Sequence, residues 1–399
     1  MARLTIFLMA MLAPVTLLYA ADSDVIVRSD DKTIPPLSVT RDDYLFVAGR
    51  HVVEIKVPSY LVKEVDYANE SEDFKYGMQK LGDAKYSVAA KYFKEALDAA
   101  GDKKWALELY NYHLGSALYL NGSFAGYNGR RFNYDPPSAY FKRALDANPK
   151  SRFMLDIFAK RPVCLAGEQD FEAAAEALKD GERRLAEYQA ETAATHDPGY
   201  APLAQRAKAA LTVAAARVLQ MKAEAKKAEW KDVSDAWRIA CNQATAFADL
   251  SQTAKRGRMN ALFESQDIDG AKETTAEIIR KLSTEPDPRQ WSLLSSAYFI
   301  QGCIQYQEAL GAEQAKRVVQ STRGFAEARW SFVNAAVYAI EGGERSSAQL
   351  KAGICCDKLK RVEDDGAEKA VRYWKEVLRE SPDGDVADSA RAELKKAGF

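Results

Sequence analysis

Two observations predict a mainly α protein, an α-solenoid of antiparallel helical hairpins preceded by a small all-β module. From residue 69 almost to the end, Ala-, Lys- and Glu-rich stretches carry apolar residues at helical spacing. Before them, residues 24–66 are rich in Val and Ile and alternate with the two-residue period of strands. The chain has 399 residues, 47% hydrophobic and 28% charged, which suits a folded array and excludes wholesale disorder or a collagen-like repeat.

Residues 1–20 read as a secretory signal peptide. Arg3 precedes an apolar run from Leu4 to Leu18, broken by Pro14, and a small-residue site ends at Ala20. The run falls short of the roughly 20 residues a spanning helix needs. Export to the periplasm or cell envelope is the expectation.

The module over 21–68 should hold five short strands: 25–27, 34–39, 44–47, 52–57 and 61–65. Polar clusters at 29–32, 40–43 and 48–51 supply turns between them. Pro35-Pro36 restricts the second run to an edge or bulge. So small a sheet buries little unless it curls on itself or docks on a neighbour. The strand order and the corner Val57-Pro58-Ser59-Tyr60-Leu61 resemble the SH3-like or Sm-like small barrels that open some exported bacterial repeat proteins. The expected role is a cap on the helical array; a peptide- or glycan-binding barrel is the alternative.

Over 69–399 the test is internal repetition, because a hairpin that cannot bury its own face must stack on copies of itself. Residues 81–90 match residues 166–175, with Gly82 and Gly167, Tyr86 and Phe171, and paired Ala in register. Ala89/Phe93/Ala96, Val233/Trp237/Ala240, Ala271/Thr275/Ile278 and Ala370/Trp374/Val377 share a four-then-three spacing, and Phe141/Ala144 joins them. Leu114-Gly115 and the run Trp291 to Tyr298 supply first-helix patterns, with Trp330, Val333, Asn334 and Val337 a looser copy. These residues resemble the tetratricopeptide repeat (TPR), a helical hairpin of about 34 residues. The spacings here exceed that length, so insertions are expected among about seven hairpins closed by a C-terminal capping helix. Small residues let paired helices approach while aromatics fill the gap, which makes these core positions.

Charge and residue supply narrow the function. Lys and Arg number 56 against 57 Asp and Glu, so nothing draws the chain to nucleic acid in bulk. Three scattered histidines leave no material for a metal cluster or a His-based triad, and no pattern calls for a cofactor. Five cysteines, an odd number without CxxC spacing, read as buried thiols. A non-catalytic envelope scaffold follows, with a protein partner as the occupant the TPR resemblance implies and a glycan, such as peptidoglycan, as the alternative.

Groove positions carried over from the repeat are Leu109, Tyr112, Ser116 and Tyr119 in one hairpin, and Leu350, Ile354, Asp357 and Lys358 in the last. At the first set, stacking and apolar contacts should outweigh charge. The loop over 121–137 is long for a hairpin turn, and its Phe124, Tyr127, Arg130 and Arg131 are of types enriched at interface hot spots. The partner-binding candidates are therefore Tyr112, Ser116, Tyr119, Phe124, Tyr127, Arg130, Arg131, Asp357 and Lys358.

Overall fold

The computed structural model describes residues 23–34, 37–50, 53–122, 134–285, 287–340 and 342–399. Five strands come first: β1 (Val25–Arg28), β2 (Ser38–Asp42), β3 (Phe46–Arg50), β4 (Glu54–Pro58) and β5 (Val62–Asp66), with a 3-10 turn over Ser59–Leu61. β1 pairs antiparallel with β5, and β2-β3-β4 form an antiparallel meander. Bridges Asp24–Leu37 and Val27–Thr33 tie the β1 edge to the segment leading into β2. Ile26, Leu37, Val47, Val57 and Val65 turn inward from both sheets.

The sequence expectation fails in detail at the third strand. Ala48, Gly49 and Arg50 belong to β3 rather than to a turn, and Tyr44 precedes the strand. Gly49 reads as a turn former but is a packing residue, because a Cβ there would sit 1.9 Å from Leu37 Cδ1. The second strand begins only at Ser38, beyond the two prolines.

Fifteen α-helices follow among the described residues, and the chain divides into two compact units, up to Met221 and Lys222–Phe399. The first unit holds the strands with α1 (Glu72–Gly82), α2 (Tyr86–Asp98), α3 (Lys104–Leu120), α4 (Pro137–Ala147), α5 (Met154–Gly167), α6 (Phe171–Ala193) and most of α7 (Ala201–Glu224), whose last turn lies past Met221. The second holds α8 (Trp230–Gln243), α9 (Ala248–Glu264), α10 (Ile268–Leu282), α11 (Trp291–Gln314), α12 (Val318–Tyr338), α13 (Gly342–Leu359), α14 (Gly366–Glu380) and α15 (Asp385–Lys396). Short connections favour antiparallel neighbours, and α1/α2, α5/α6, α11/α12 and α13/α14 pack as hairpins, as do α3/α4 across their longer connection. The protein is thus mainly α, an array of TPR-like helical hairpins after a small antiparallel β-module.

One packing device recurs. A Cβ on Gly77 of α1 would meet Phe93 of α2, one on Gly115 would meet Phe141, one on Gly302 would meet Phe332, and one on Gly353 would meet Trp374. In each pair a first-helix glycine admits a second-helix ring that is no more than 1% exposed. The spaced triads are buried as well, Ala89/Phe93/Ala96 and Val233/Trp237/Ala240 nearly completely. Removing such rings from water gives the hairpins much of their stability.

The first-helix register needs correction. Gly82 and Gly167 close α1 and α5, so the matched ten-residue blocks are hairpin turns, and Gly77 is the residue that receives the ring. Likewise Gly302, beyond the Trp291–Tyr298 run, does this in α11. Trp330 and Val337 lie on α12, a second helix, and are 58% and 64% exposed, so they copy no first-helix core.

The turns repeat in backbone terms. Ala84, Gln169, Lys226, Gln266 and Lys316 all have φ between 55° and 68°. Each donates its N–H to a carbonyl three residues back, and the next residue donates to a carbonyl five back. That is a Schellman closure, made here without glycine.

Candidate functional site

The β-module does not stand apart from the first helices. Its inward residues share a core with Phe74, Phe93, Leu109, Tyr110 and Leu114 of α1–α3. On another side Tyr44 and Tyr60 pack with Tyr188 of α6 and with Tyr200, which closes the 3-10 turn just before α7. Polar bonds fix the fit. Tyr44 N–H donates to the Lys150 carbonyl at 2.9 Å, Tyr60 Oη to Asp197, and Tyr200 Oη to the Leu45 carbonyl. The sequence could not state this docking, because it joins residues more than a hundred positions apart.

The docked module leaves one partly open face on α3 and α5, the first helices of consecutive hairpins. Tyr112, Ser116 and Tyr119 recur at intervals of four and three, which puts them on one side of α3. Asp156 and Lys160 do the same on α5. Tyr112 stacks on Phe153, ring centroids 4.1 Å apart, and donates to Asp156 Oδ2 at 2.8 Å. Lys160 Nζ lies 2.6 Å from the same oxygen and 3.5 Å from Ser116 Oγ. The ammonium also sits 5.6 Å over the Tyr112 ring and 5.8 Å over that of Tyr119, within cation–π range.

Burial and charge set what this face can do. Desolvation, then the Asp156 charge, holds the Tyr112 phenol well above its ordinary pKa, and burial pushes Tyr119 up to about 12. Both stay neutral donors. Lys160 and Asp156 keep 20% and 44% of their side-chain surface, so a partner can reach them. The face offers two aromatic planes around one ammonium that is paired with Asp156. Beside the stacked Tyr112 and Phe153, the Lys160–Asp156 pair adds charge to this set. Their i,i+4 spacing was present in the sequence but nothing there linked it to α3.

Other candidates fall elsewhere. Ser116 is buried, touching the face through Lys160 and the Tyr112 hydroxyl, and Leu109 lies in the core beneath the β-module. Leu350 is buried against the Trp374 cluster. Asp357 pairs with Lys360, just past the end of α13, at 2.9 Å. Lys358 reaches Glu313 of α11 at 2.7 Å and lies 5.5 Å over the Phe325 ring, again linking first helices of consecutive hairpins. Phe124, Tyr127, Arg130 and Arg131 lie outside the described residues.

The remaining reactive groups are quiet. All five cysteines are free, and burial raises Cys303 to about 11 and Cys355 to about 12. His113 lies among Phe74, Phe93, Tyr112 and Phe153, and desolvation lowers it to about 3, so it is neutral. No described helix is long and apolar enough to cross a membrane.

No family model matches the chain, and no curated protein matches it. Among solved structures it is similar to yeast Tom70, at 11% identity over 78% of this chain and 76% of that one, with a TM-score of 0.22. It is also similar to the TPR domain of P58(IPK), at 12% identity over 82% of this chain and 96% of that one, again with a TM-score of 0.22. At those values the fold assignment stands on the recurring hairpins and their glycine–aromatic pairs.

Proposed function

We propose that the protein is a non-catalytic scaffold of the cell envelope that holds a protein segment against the α3–α5 face. The observation that carries this is the partly open cluster of Tyr112, Tyr119, Asp156 and Lys160, which joins two hairpins through groups that also face outward. The export pattern over residues 1–20 supports the compartment, and the loop aromatics and arginines at 124–131 adjoin the end of α3 in sequence. The β-module acts as a cap for the first hairpins in this reading.

The test is capture from an envelope fraction by the exported chain, by Lys160→Ala/Tyr119→Ala, and by a variant with Ala at Phe124, Tyr127, Arg130 and Arg131. Loss of one captured protein in the first variant, with helicity unchanged by circular dichroism, supports the face. Equal capture by all three rejects it. N-terminal sequencing of the exported product checks cleavage after Ala20.

A second reading has its own observation. Trp330 is 58% exposed and Trp291 37%, with Tyr298 and Tyr338 beside them in edge and stacked contacts. Such a platform suits stacking against sugar rings. Retention on insoluble peptidoglycan that falls on Trp330→Ala would favour a glycan over a protein partner.

A further inference from the structure

A small group of buried charges sits where the β-module meets the hairpins. Asp42 at the end of β2 has Oδ2 3.2 Å from Arg152 Nε and accepts from Tyr67 Oη at 3.0 Å, while its Oδ1 is buried without a hydrogen-bond partner. Asn148 Nδ2 donates both to the Asp42 carbonyl at 2.9 Å and to Glu108 Oε2 at 2.8 Å. Glu108 Oε1 is buried too, and the buried Ser151 is a further hydrogen-bonding neighbour of this carboxyl. The Asp42 and Arg152 side chains are 10% and 9% exposed, and Glu108 is 6% exposed.

Charges on the surrounding elements do not complete the balance. Arg41 of β2 is engaged by the buried Asp43, and Lys150 by Glu191. Glu64 of β5 adds a third carboxylate facing Arg152, and His113 of α3 is neutral. Lys104 stands on the wall of the cleft of about 620 Å³ that opens here beside Trp105. Asp42 and Glu108 therefore share one buried guanidinium, that of Arg152, with Ser151 and Asn148 as further hydrogen-bonding neighbours of Glu108. A proton on either acid removes the excess negative charge that this buried joint otherwise holds against a single guanidinium.

We propose that docking of the β-module is proton-coupled, one proton taken up by the Asp42–Glu108 pair locking the module onto α3 and α5 and its release loosening that joint. Burial raises both acids above their ordinary range, Glu108 to about 7. An acid raised in the docked state favours docking at low pH, and that advantage is lost as pH rises from its ordinary value through the docked one. The joint also reaches the proposed partner face. Arg152 lies 4.6 Å over Phe153, which stacks on Tyr112, and Glu108 is one helical turn before Tyr112. In making the proton a regulator of that face, the inference rests on the functional reading above; the docking itself does not.

The test is hydrogen exchange by mass spectrometry on the full exported chain at pH 5.5 and 7.5, corrected for intrinsic exchange rates. Protection over residues 38–50 should fall on the order of tenfold in wild type between these values. Glu108→Gln should abolish the fall, and peptides from α13 should not follow it. Glu70, raised to about 8 by burial and by Asp66 and Glu64 at the β5–α1 link, is the rival titrant, so Glu70→Gln is run beside it. Unchanged wild-type protection, or a fall abolished by Glu70→Gln and kept by Glu108→Gln, overturns the proposal. If Glu108→Gln does not fold, Asp42→Asn takes its place with the same two outcomes. Capture of the partner is measured separately, so loss of the partner reading leaves this result intact.

Discussion

In the first unit Gly115 receives Phe141, and in the second Gly302 receives Phe332, each ring fully buried across its hairpin. Around those similar cores the charges are arranged in opposite ways. The first unit hides Asp42 and Glu108 beneath the docked module, where desolvation raises them. The second ties its hairpins with partly exposed ion pairs, Arg329–Glu363, Arg256–Glu344 and Lys358–Glu313, and Arg329 holds Glu363 below its usual range. The contrast teaches that helical packing is interchangeable along the array while the polar seams are local. A seam covered by a second layer pays desolvation, and a seam open to water gains little from each pair.

The largest test asks whether the shared device carries the stability. Trp374 is 1% exposed and fills the space over Gly353. Trp374→Ala should cost the second unit about 3 to 5 kcal/mol. Phe141→Ala should cost the first unit a similar amount, read by denaturant unfolding with exchange protection resolved by unit. A loss confined below about 1 kcal/mol in either would end the equivalence.

The next test targets the contrast in charge. Glu108 raised to about 7 means the first unit loses on the order of 3 kcal/mol as pH climbs from 4.5 through 7, an upper figure because Asp42 shares the proton. Glu363 is lowered, so its contribution to the second unit is present above its ordinary pKa and is lost as pH falls below it. Unit-resolved protection should therefore slope in opposite directions, downward from pH 5 to 8 in α1–α3 and downward from pH 5 to 3 in α12–α14. Parallel slopes would erase the distinction.

These regions also divide by how far the sequence discloses them. The triads Ala89/Phe93/Ala96 and Ala370/Trp374/Val377 were legible because a buried helix face repeats locally every three or four residues, and all six are buried. Five strands were legible for the same reason at period two, although β3 was displaced because Gly49 looks like a turn when it is a close contact with Leu37. Gly77 was missed in favour of Gly82, since a glycine at a helix end and one under a ring look alike in one dimension. The candidate face was half legible. Tyr112, Ser116 and Tyr119 share a helical stripe, but Asp156, Lys160 and Phe153 meet them only after α5 packs on α3, and no local period announces that.

A third test returns to the glycines and expects less. A Cβ on Gly257 would lie 2.2 Å from Trp237 Cε2, while one on Gly115 would lie 3.1 Å from Phe141 Cδ1. Gly257→Ala should cost about 1 to 3 kcal/mol and Gly115→Ala less, because the second ring needs to shift only slightly. Melting curves that rank the two in reverse would show that the hairpins of the second unit yield more easily than those of the first.

The smallest effect has the opposite sign and asks whether the two units share their turns as they share their cores. Gln169 has φ 68° in the first unit and Gln266 φ 64° in the second, and each is followed by an aspartate whose side chain caps the next helix, Asp170 on Ala173 N–H and Asp267 on Gly270 N–H. A left-handed backbone costs a side chain with a Cβ roughly 1 kcal/mol, and glycine avoids that cost while keeping the Schellman bonds. Glycine also gives the unfolded chain more freedom, which offsets part of the gain. Gln169→Gly and Gln266→Gly should each stabilise their own unit by about 0.5 kcal/mol, measured as a raised denaturation midpoint with unchanged slope. Equal gains make the turn a device common to both units; a gain in one and a loss in the other means that the glutamine side chain contributes locally where the loss is seen, and the turns then belong with the seams rather than with the cores.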